Sequence, residues 1–214
     1  MSKESPKTTT ETETPASDGF GGLGLDKRLV QTLSVLGYEE PTPIQRESIP
    51  PLLAGKDMIG QAATGTGKTA AFALPLLQRI LERGEKRAMP SAIVLVPTRE
   101  LAMQVSEAIH KYGRSLGTSV LPVFGGQSFE TQVRGLKRGV DLIVATPGRA
   151  LDHIRRGTLK LDTISEVVLD EADEMLDMGF AEEIESMLAE MPKTRQTVLF
   201  SATLPPRIAA IAKR

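Results

Sequence analysis

The chain contains no cysteine and no tryptophan, and its 214 residues include only two histidines. Without cysteine there can be no disulfide framework, no thiolate nucleophile and no thiolate metal site. His110 and His153 are isolated in the sequence, which argues against a histidine-based metal centre. Aromatic residues make up 4% of the chain, too few to line a track of stacked bases. No apolar run approaches the roughly 18 residues of a membrane span. An excess of one charge is lacking too, since 26 Lys and Arg face 27 Asp and Glu for a formal net charge of −1. Any nucleic-acid footprint must therefore be local, on one face.

What remains has the balance of a globular protein, 40% hydrophobic and 25% charged, in a length that suits one substantial domain and a tail. Residues 1–18, MSKESPKTTTETETPASD, hold almost nothing that could enter a core and are expected to form a disordered tail. They lack arginine and an apolar centre, so no targeting peptide is expected and the anticipated compartment is cytoplasmic. From residue 19 onward, short β-branched runs alternate with helical periodicity. The runs are DMIG, AIVLVP, TSVLPVF, DLIVATP, EVVLDEAD and TVLFSAT. Between them lie TAAFALPLLQRILERG, RELAMQVSEAIHKYG, TQVRGLKRG, GRALDHIRRG and FAEEIESMLAEM, the last stopped by Pro192. This alternation predicts an α/β fold with a parallel sheet covered by helices on both faces. Ligands of such sheets bind beyond the carboxyl ends of the strands.

The stretch AATGTGKT (62–69) joins a predicted strand to a predicted helix, the context of a phosphate loop. Gly65 and Gly67 can take positive φ, turning successive N–H groups inward, and the next helix adds the positive end of its dipole. Lys68 would reach the β- and γ-phosphates and Thr69 would offer its hydroxyl to Mg²⁺. Ala62 stands where the common pattern G-x-x-x-x-G-K-[ST] has its first glycine. Further along, Val167, Val168 and Leu169 suit a buried strand that delivers Asp170 to the same rim. Asp170 would hold Mg²⁺ and Glu171 would orient or deprotonate a water. The plainer alternative is an acidic helix N-terminus.

Three other groups are weaker on residue type alone. In GYEEPTPIQ (37–45), Gln45 can contact the N6/N7 edge of adenine and Tyr38 can stack on the base. Read without context, this is a proline-rich turn before a helix with Gln45 solvated. PTREL (97–101), Gly125–Gly126 and TPGR (146–149) each follow a predicted strand and together resemble a track for a nucleic-acid backbone, contacted without sequence specificity. Singly, each is a cap or a turn. In LFSATLPPR, Ser201 and Thr203 either cap the helix PPRIAAIAKR or bond to the acidic cluster.

Taken in order, these segments resemble the N-terminal RecA-like domain of a DEAD-box ATP-dependent RNA helicase, of the P-loop NTPase type, from about Phe20 to the end of the chain. GYEEPTPIQ resembles the family's Q motif, with Phe20 as its upstream aromatic. AATGTGKT resembles motif I, where alanine normally takes the first position, and DEAD (170–173) resembles the motif that names the family. The resemblance implies that ATP or ADP is held by Tyr38 and Gln45 at the base and by Ala62, Ala63, Thr64, Gly65, Thr66, Gly67, Lys68 and Thr69 at the phosphates. It implies Mg²⁺ at Thr69 and Asp170, and catalysis by Lys68, Asp170 and Glu171. RNA would lie along Pro97, Thr98, Arg99, Gly125 and Gly126, continuing to Thr146, Pro147, Gly148 and Arg149. Asp173 would pair with Ser201 and Thr203 to couple hydrolysis to strand separation. The second RecA-like domain of the family, with its arginines, is expected to be absent from these residues, leaving nucleotide binding with little turnover. No residue pattern specifies oligomeric state, the RNA served, or a membrane contact. The rival readings are a nucleotide-gated RNA clamp without catalysis and a DNA-directed translocase of related fold.

Overall fold

The computed structural model describes residues 19–84 and 89–211, so the expected tail at 1–18 lies outside the described residues. From the first strand onward, strands and helices alternate as the sequence periodicity predicts. Helices α1 (Lys27–Val35) and α2 (Pro43–Leu53) precede strand β1 (Met58–Gln61), followed by α3 (Lys68–Arg83), β2 (Ala92–Leu95) and α4 (Arg99–Gly113). Then come β3 (Val120–Val123), α5 (Phe129–Lys137), β4 (Leu142–Ala145) and α6 (Pro147–Arg155). The chain continues through β5 (Glu166–Leu169), α7 (Ala172–Asp177), α8 (Ala181–Glu190), β6 (Gln196–Ser201) and α9 (Pro206–Ile211). The six strands form one sheet in the order β1-β6-β5-β2-β4-β3, and every pairing is parallel.

Period-2 alternation divides the sheet's side chains between two cores. Val94, Val144, Val168, Val198 and Phe200 join one cluster with Leu29, Leu33, Ile49, Phe72 and Ile109 of α1–α4. Ile93, Leu95, Ile143, Val167, Leu169 and Leu199 join the other with Leu151, Met175, Ile184 and Ile208 from α6–α9. Both faces are thus covered, which is why these strands read as unbroken apolar runs. Pro122 lies in β3, an edge strand, where a missing N–H costs the ladder least.

Two helices start or run where residue type alone gives little warning. Asp26 caps α1, its side chain accepting from Arg28 N at 2.9 Å. Helix α2 runs through Pro50 and Pro51 near its C-terminus instead of stopping there. Its buried Gln45, Ser48, Ile49 and Leu52 hold it against α3, so tertiary packing outweighs the proline penalty.

Candidate active site

Apart from residues 37–45, which precede β1, the chemistry-bearing segments leave the carboxyl ends of the strands. The ladders continue past several strand ends, through Ala62 N to Ser201 O (3.1 Å), Asp170 N to Leu95 O (2.9 Å), Val96 N to Ala145 O (2.9 Å) and Thr146 N to Val123 O (3.0 Å). These bonds fix a single rim. Along it the sheet order gives residues 62–69, then 201–203, then 170–173, then 97–99, then 146–149, then 125–126.

At the first part of the rim, β1 turns into α3 through a left-handed loop, with Gly65 at φ 83° and Gly67 at φ 93°. Gly67 is the N-cap of α3. A Cβ there would lie 2.5 Å from Gln45 Nε2 and 3.1 Å from Thr42 Oγ1, so this position has room only for glycine. Thr66 Oγ1 donates to Ala63 O at 2.8 Å and tightens the turn. Lys68, buried on the first turn of α3, places Nζ 3.6 Å from Asp170 Oδ1. Asp170 is 2% exposed. Burial pushes its carboxyl above the usual carboxylate range, and the Lys68 ammonium opposes that shift.

Glu171 follows with φ 53° and ψ 51°, the one positive-φ residue other than glycine among the described residues. Its N–H donates to Asp170 Oδ1 at 3.0 Å, and its Oε1 accepts from Thr64 Oγ1 at 3.1 Å. Glu171 is the N-cap of α7, whose first turn carries Asp173 and Glu174, so this segment is both an acidic helix start and a wall of the loop cavity. That cavity, about 230 Å³, is lined by Thr64, Lys68, Glu171, Asp173 and Thr203 among others.

Ser201 and Thr203 do not cap α9, which starts at Pro206. Thr203 N and Oγ1 both donate to Asp173 Oδ2 at 2.9 Å, and Ser201 Oγ accepts from Asp173 N at 3.3 Å. Burial alone would raise the Asp173 carboxyl; the hydrogen bonds from Thr203 and Ser201 outweigh it and leave the group below its ordinary value.

Gln45 is buried rather than solvated. Its Oε1 accepts from Thr42 N at 2.9 Å and its Nε2 donates to Gly67 O at 3.1 Å, tying α2 to the loop. Tyr38 stands partly exposed, edge-on to Phe20 (6.3 Å between centroids) and to Tyr112 (5.9 Å), with its hydroxyl 2.8 Å from that of Tyr112. Ala62 and Ala63 complete the loop between β1 and α3, and Thr69 is the second residue of α3.

The far half of the rim is also one connected surface. Thr98 caps α4, accepting from Leu101 N at 3.2 Å, and Pro97 precedes it. Arg99 is exposed and paired with Glu100 at 2.5 Å, and a Cβ on Gly126 would lie 3.5 Å from its Nη1. Gly126 has φ 86° and Gly125 is exposed. Thr146 is the N-cap of α6 and Pro147 its first residue, with Gly148 exposed. Arg149 Nη1 donates to Gln127 O at 3.0 Å, which links TPGR to the Gly125–Gly126 turn. Behind these loops, Gln132 and His153 are buried and bonded to each other at 2.9 Å, a pair that sequence reading passes over. The available signal was a glutamine four residues before Leu136 on the apolar face of α5.

A phosphate loop on β1, a buried carboxylate beyond β5 and a parallel sheet define the class: a RecA-like P-loop domain. Comparison with known proteins narrows it further. The DEAD/DEAH box helicase family matches residues 42–211, and the chain belongs to that family. It is 54% identical over 195 residues to the DEAD-box ATP-dependent RNA helicase CshA of Bacillus cereus, covering 91% of this chain and 37% of that protein. Identity to the protein of the same name from Geobacillus kaustophilus is 52%, over 91% of this chain and 41% of that one. The chain thus spans well under half the length of these curated relatives. Among solved structures, the RNA helicase Prp28 of Chaetomium thermophilum bound to ADP superposes with a TM-score of 0.84 at 44% identity, covering 92% of this chain and 48% of that one. A DEAD box protein from Methanococcus jannaschii gives 0.86 at 40% identity, over 92% and 53%.

Proposed function

We propose that this chain is the ATP-binding domain of an ATP-dependent RNA helicase, which couples ATP binding and hydrolysis to RNA binding and local duplex opening. The observation that carries the reading is the convergence of Thr64, Lys68 and Glu171 on one cavity beside a loop held at positive φ, with the buried Asp170 paired to Lys68 behind it. The residues fit a nucleoside triphosphate. The Gly65–Gly67 turn leaves no room for a Cβ at Gly67, and a lysine buried at a helix N-terminus faces the cavity. Gln45 and Tyr38 are assigned to the adenine, residues 62–69 to the phosphates, and Thr69 with Asp170 to Mg²⁺. Bound Mg²⁺ would neutralise charge on the phosphates, and two protein oxygens suffice because this ion keeps most of its shell from water and phosphate. Glu171 would accept a proton from a water and hold it for in-line attack, once its carboxylate is given up by Thr64. RNA is assigned to the far half of the rim, where Pro97, Thr98, Arg99, Gly125, Gly126, Thr146, Pro147, Gly148 and Arg149 would line the track of its sugar-phosphate backbone. Asp173 with Ser201 and Thr203 is assigned to coupling.

In this family a second RecA-like domain brings arginines to the nucleotide, and such residues are worth on the order of 10³–10⁵ in rate in related enzymes. The 214 residues alone should therefore bind ATP or ADP and hydrolyse ATP slowly. The deciding experiment is Glu171→Gln in a form that carries both domains. RNA-stimulated ATPase should fall by about 10²–10⁴-fold with nucleotide affinity retained. Undiminished turnover would remove Glu171 from catalysis and favour a clamp that needs no hydrolysis. For the base assignment, a fluorescent ADP bound to this chain should be displaced by ADP and not by GDP. Equal displacement would take Gln45 out of base recognition.

A further inference from the structure

Beneath the Gly125–Gly126 turn and the start of α6 lies a buried polar cluster. Gln132 on α5 is 1% exposed. Its Nε2 donates to Phe124 O and to Gln127 Oε1, both at 2.9 Å. Its Oε1 accepts from Arg149 Nη1 at 3.1 Å and sits 2.9 Å from His153 Nε2. A primary amide has two N–H donors and two acceptor lone pairs, so all of its capacity is used. The neighbours dictate the amide's orientation, because Phe124 O can only accept and Arg149 can only donate. His153 Nε2 must then carry the hydrogen. Burial, and then the Arg149 charge, lower His153 to about 4, so its ring is neutral and Nδ1 faces Thr158 Oγ1 at 2.8 Å. Phe129 stacks on the ring with centroids 4.1 Å apart and 11° between planes.

Arg149 is where this cluster reaches the surface. Its Nη1 spends both hydrogens on Gln127 O and Gln132 Oε1. No described residue takes Nε or Nη2, so the edge that presents two parallel N–H groups is left for an anion. We propose that Gln132 is a positioning residue, which locks segments 124–127 and 146–149 together and holds the Nε–Nη2 edge of Arg149 ready for a phosphodiester of single-stranded RNA. The inference rests on the RNA assignment of Arg149 made above. It adds that the arginine is set before RNA arrives, so less side-chain freedom is lost on binding.

The test is a double-mutant cycle on this chain, with fluorescein-labelled decauridylate as the probe and anisotropy as the readout. Arg149→Ala and Gln132→Leu should each weaken binding about five- to tenfold, as loss of one charge-assisted contact does. The double variant should bind no worse than Arg149→Ala alone, because Gln132 acts only through that arginine. Additive losses, or no loss in Gln132→Leu, would overturn the positioning role while the RNA assignment stands. No loss in Arg149→Ala would overturn the RNA assignment and the proposal with it. Displacement of ADP serves as the folding control. Should Gln132→Leu fail that control, the milder Gln132→Asn takes its place in the cycle. Hindered rotation of the Arg149 guanidinium, read by NMR without RNA, should be present in the wild type and lost in the Gln132 variant. Free rotation in the wild type would also overturn the proposal.

Discussion

Lowering the pH from about 7.5 to about 5 should destabilise this chain through His153. It is 0% exposed, between α5 and the end of α6. Burial is the largest influence on it, the Arg149 charge adds to the shift, Asp152 opposes it and Arg156 adds a little more. The folded value is lowered from 6.5 to about 4. The unfolded chain therefore takes up a proton as the pH falls through 6.5, while the folded chain does not until about 4. The stability of the neutral ring is complete above 6.5 and is lost progressively down to about 4. Between about pH 7.5 and pH 5 the loss from this group alone is roughly 2 kcal/mol. Urea unfolding at both pH values measures it, followed by far-UV circular dichroism because the chain has no tryptophan. His153→Leu loses hydrogen bonds and is weaker at every pH, so the diagnostic is the slope. The wild type should lose about 2 kcal/mol more than the variant over that interval. Equal slopes would refute the reasoning, as would a His153 NMR resonance that titrates near 6.5 in the folded chain.

Three further outcomes follow from the same geometry. Gly67→Ala puts an L-residue at φ 93° and a Cβ 2.5 Å from Gln45 Nε2, so strain of about 1–2 kcal/mol and a tenfold or greater loss of ADP affinity are expected by calorimetry. Arg83→Met strips the buried Glu166 of its cation and should cost about 3–5 kcal/mol, most of it regained when Glu166→Met is added; a double variant as weak as the single would contradict this. Thr203→Val deletes one of the two bonds from that residue to Asp173 Oδ2 and should cost about 1 kcal/mol at neutral pH. Because the Asp173 carboxyl is lowered in the fold, its contribution is present above the ordinary value of 3.8 and lost below it, so the deficit should shrink in acid.

The strands were legible because a sheet covered on both faces asks for uninterrupted β-branched runs, and Val167, Val168 and Leu169 leave no other reading. Helix α1 was not, since KRLVQTLSV buries only Leu29 and Leu33 and its remaining residues carry no pattern strong enough to be seen. The extent of α2 has no local signature either, because Pro50 and Pro51 lie inside it and packing against α3 carries the helix through them. Gln45 reads as solvated on residue type because its burial is created by Gly67, which lies 22 positions away. The same holds for Gln132 and His153, 21 positions apart. A polar residue that is satisfied only by partners brought in by the fold has no local signature. The phosphate loop does, because its glycines are required by backbone geometry alone.

Glu171 shows how the two sides of the cavity between the 62–69 loop and α7 are tied. A glutamate at φ 53° sits in a region that non-glycine residues seldom occupy, at a cost on the order of 1 kcal/mol. It stays there because it is held from both sides. Toward β1, Thr64 donates to its carboxylate and Lys68 pairs with the adjoining Asp170. Toward β6, the first turn of α7 is anchored through Asp173 to Ser201 and Thr203. Only Ala172 separates the residue bonded to Thr64 from the residue bonded to the 201–203 segment. A shift of that segment must act on α7 and so on the strained backbone of Glu171. Any release of the Thr64–Glu171 bond must act back along the same turn, since coupling between two binding equilibria is reciprocal. The proposed coupling therefore needs no long relay: it is one turn of helix with a hydrogen-bonded clamp at each end.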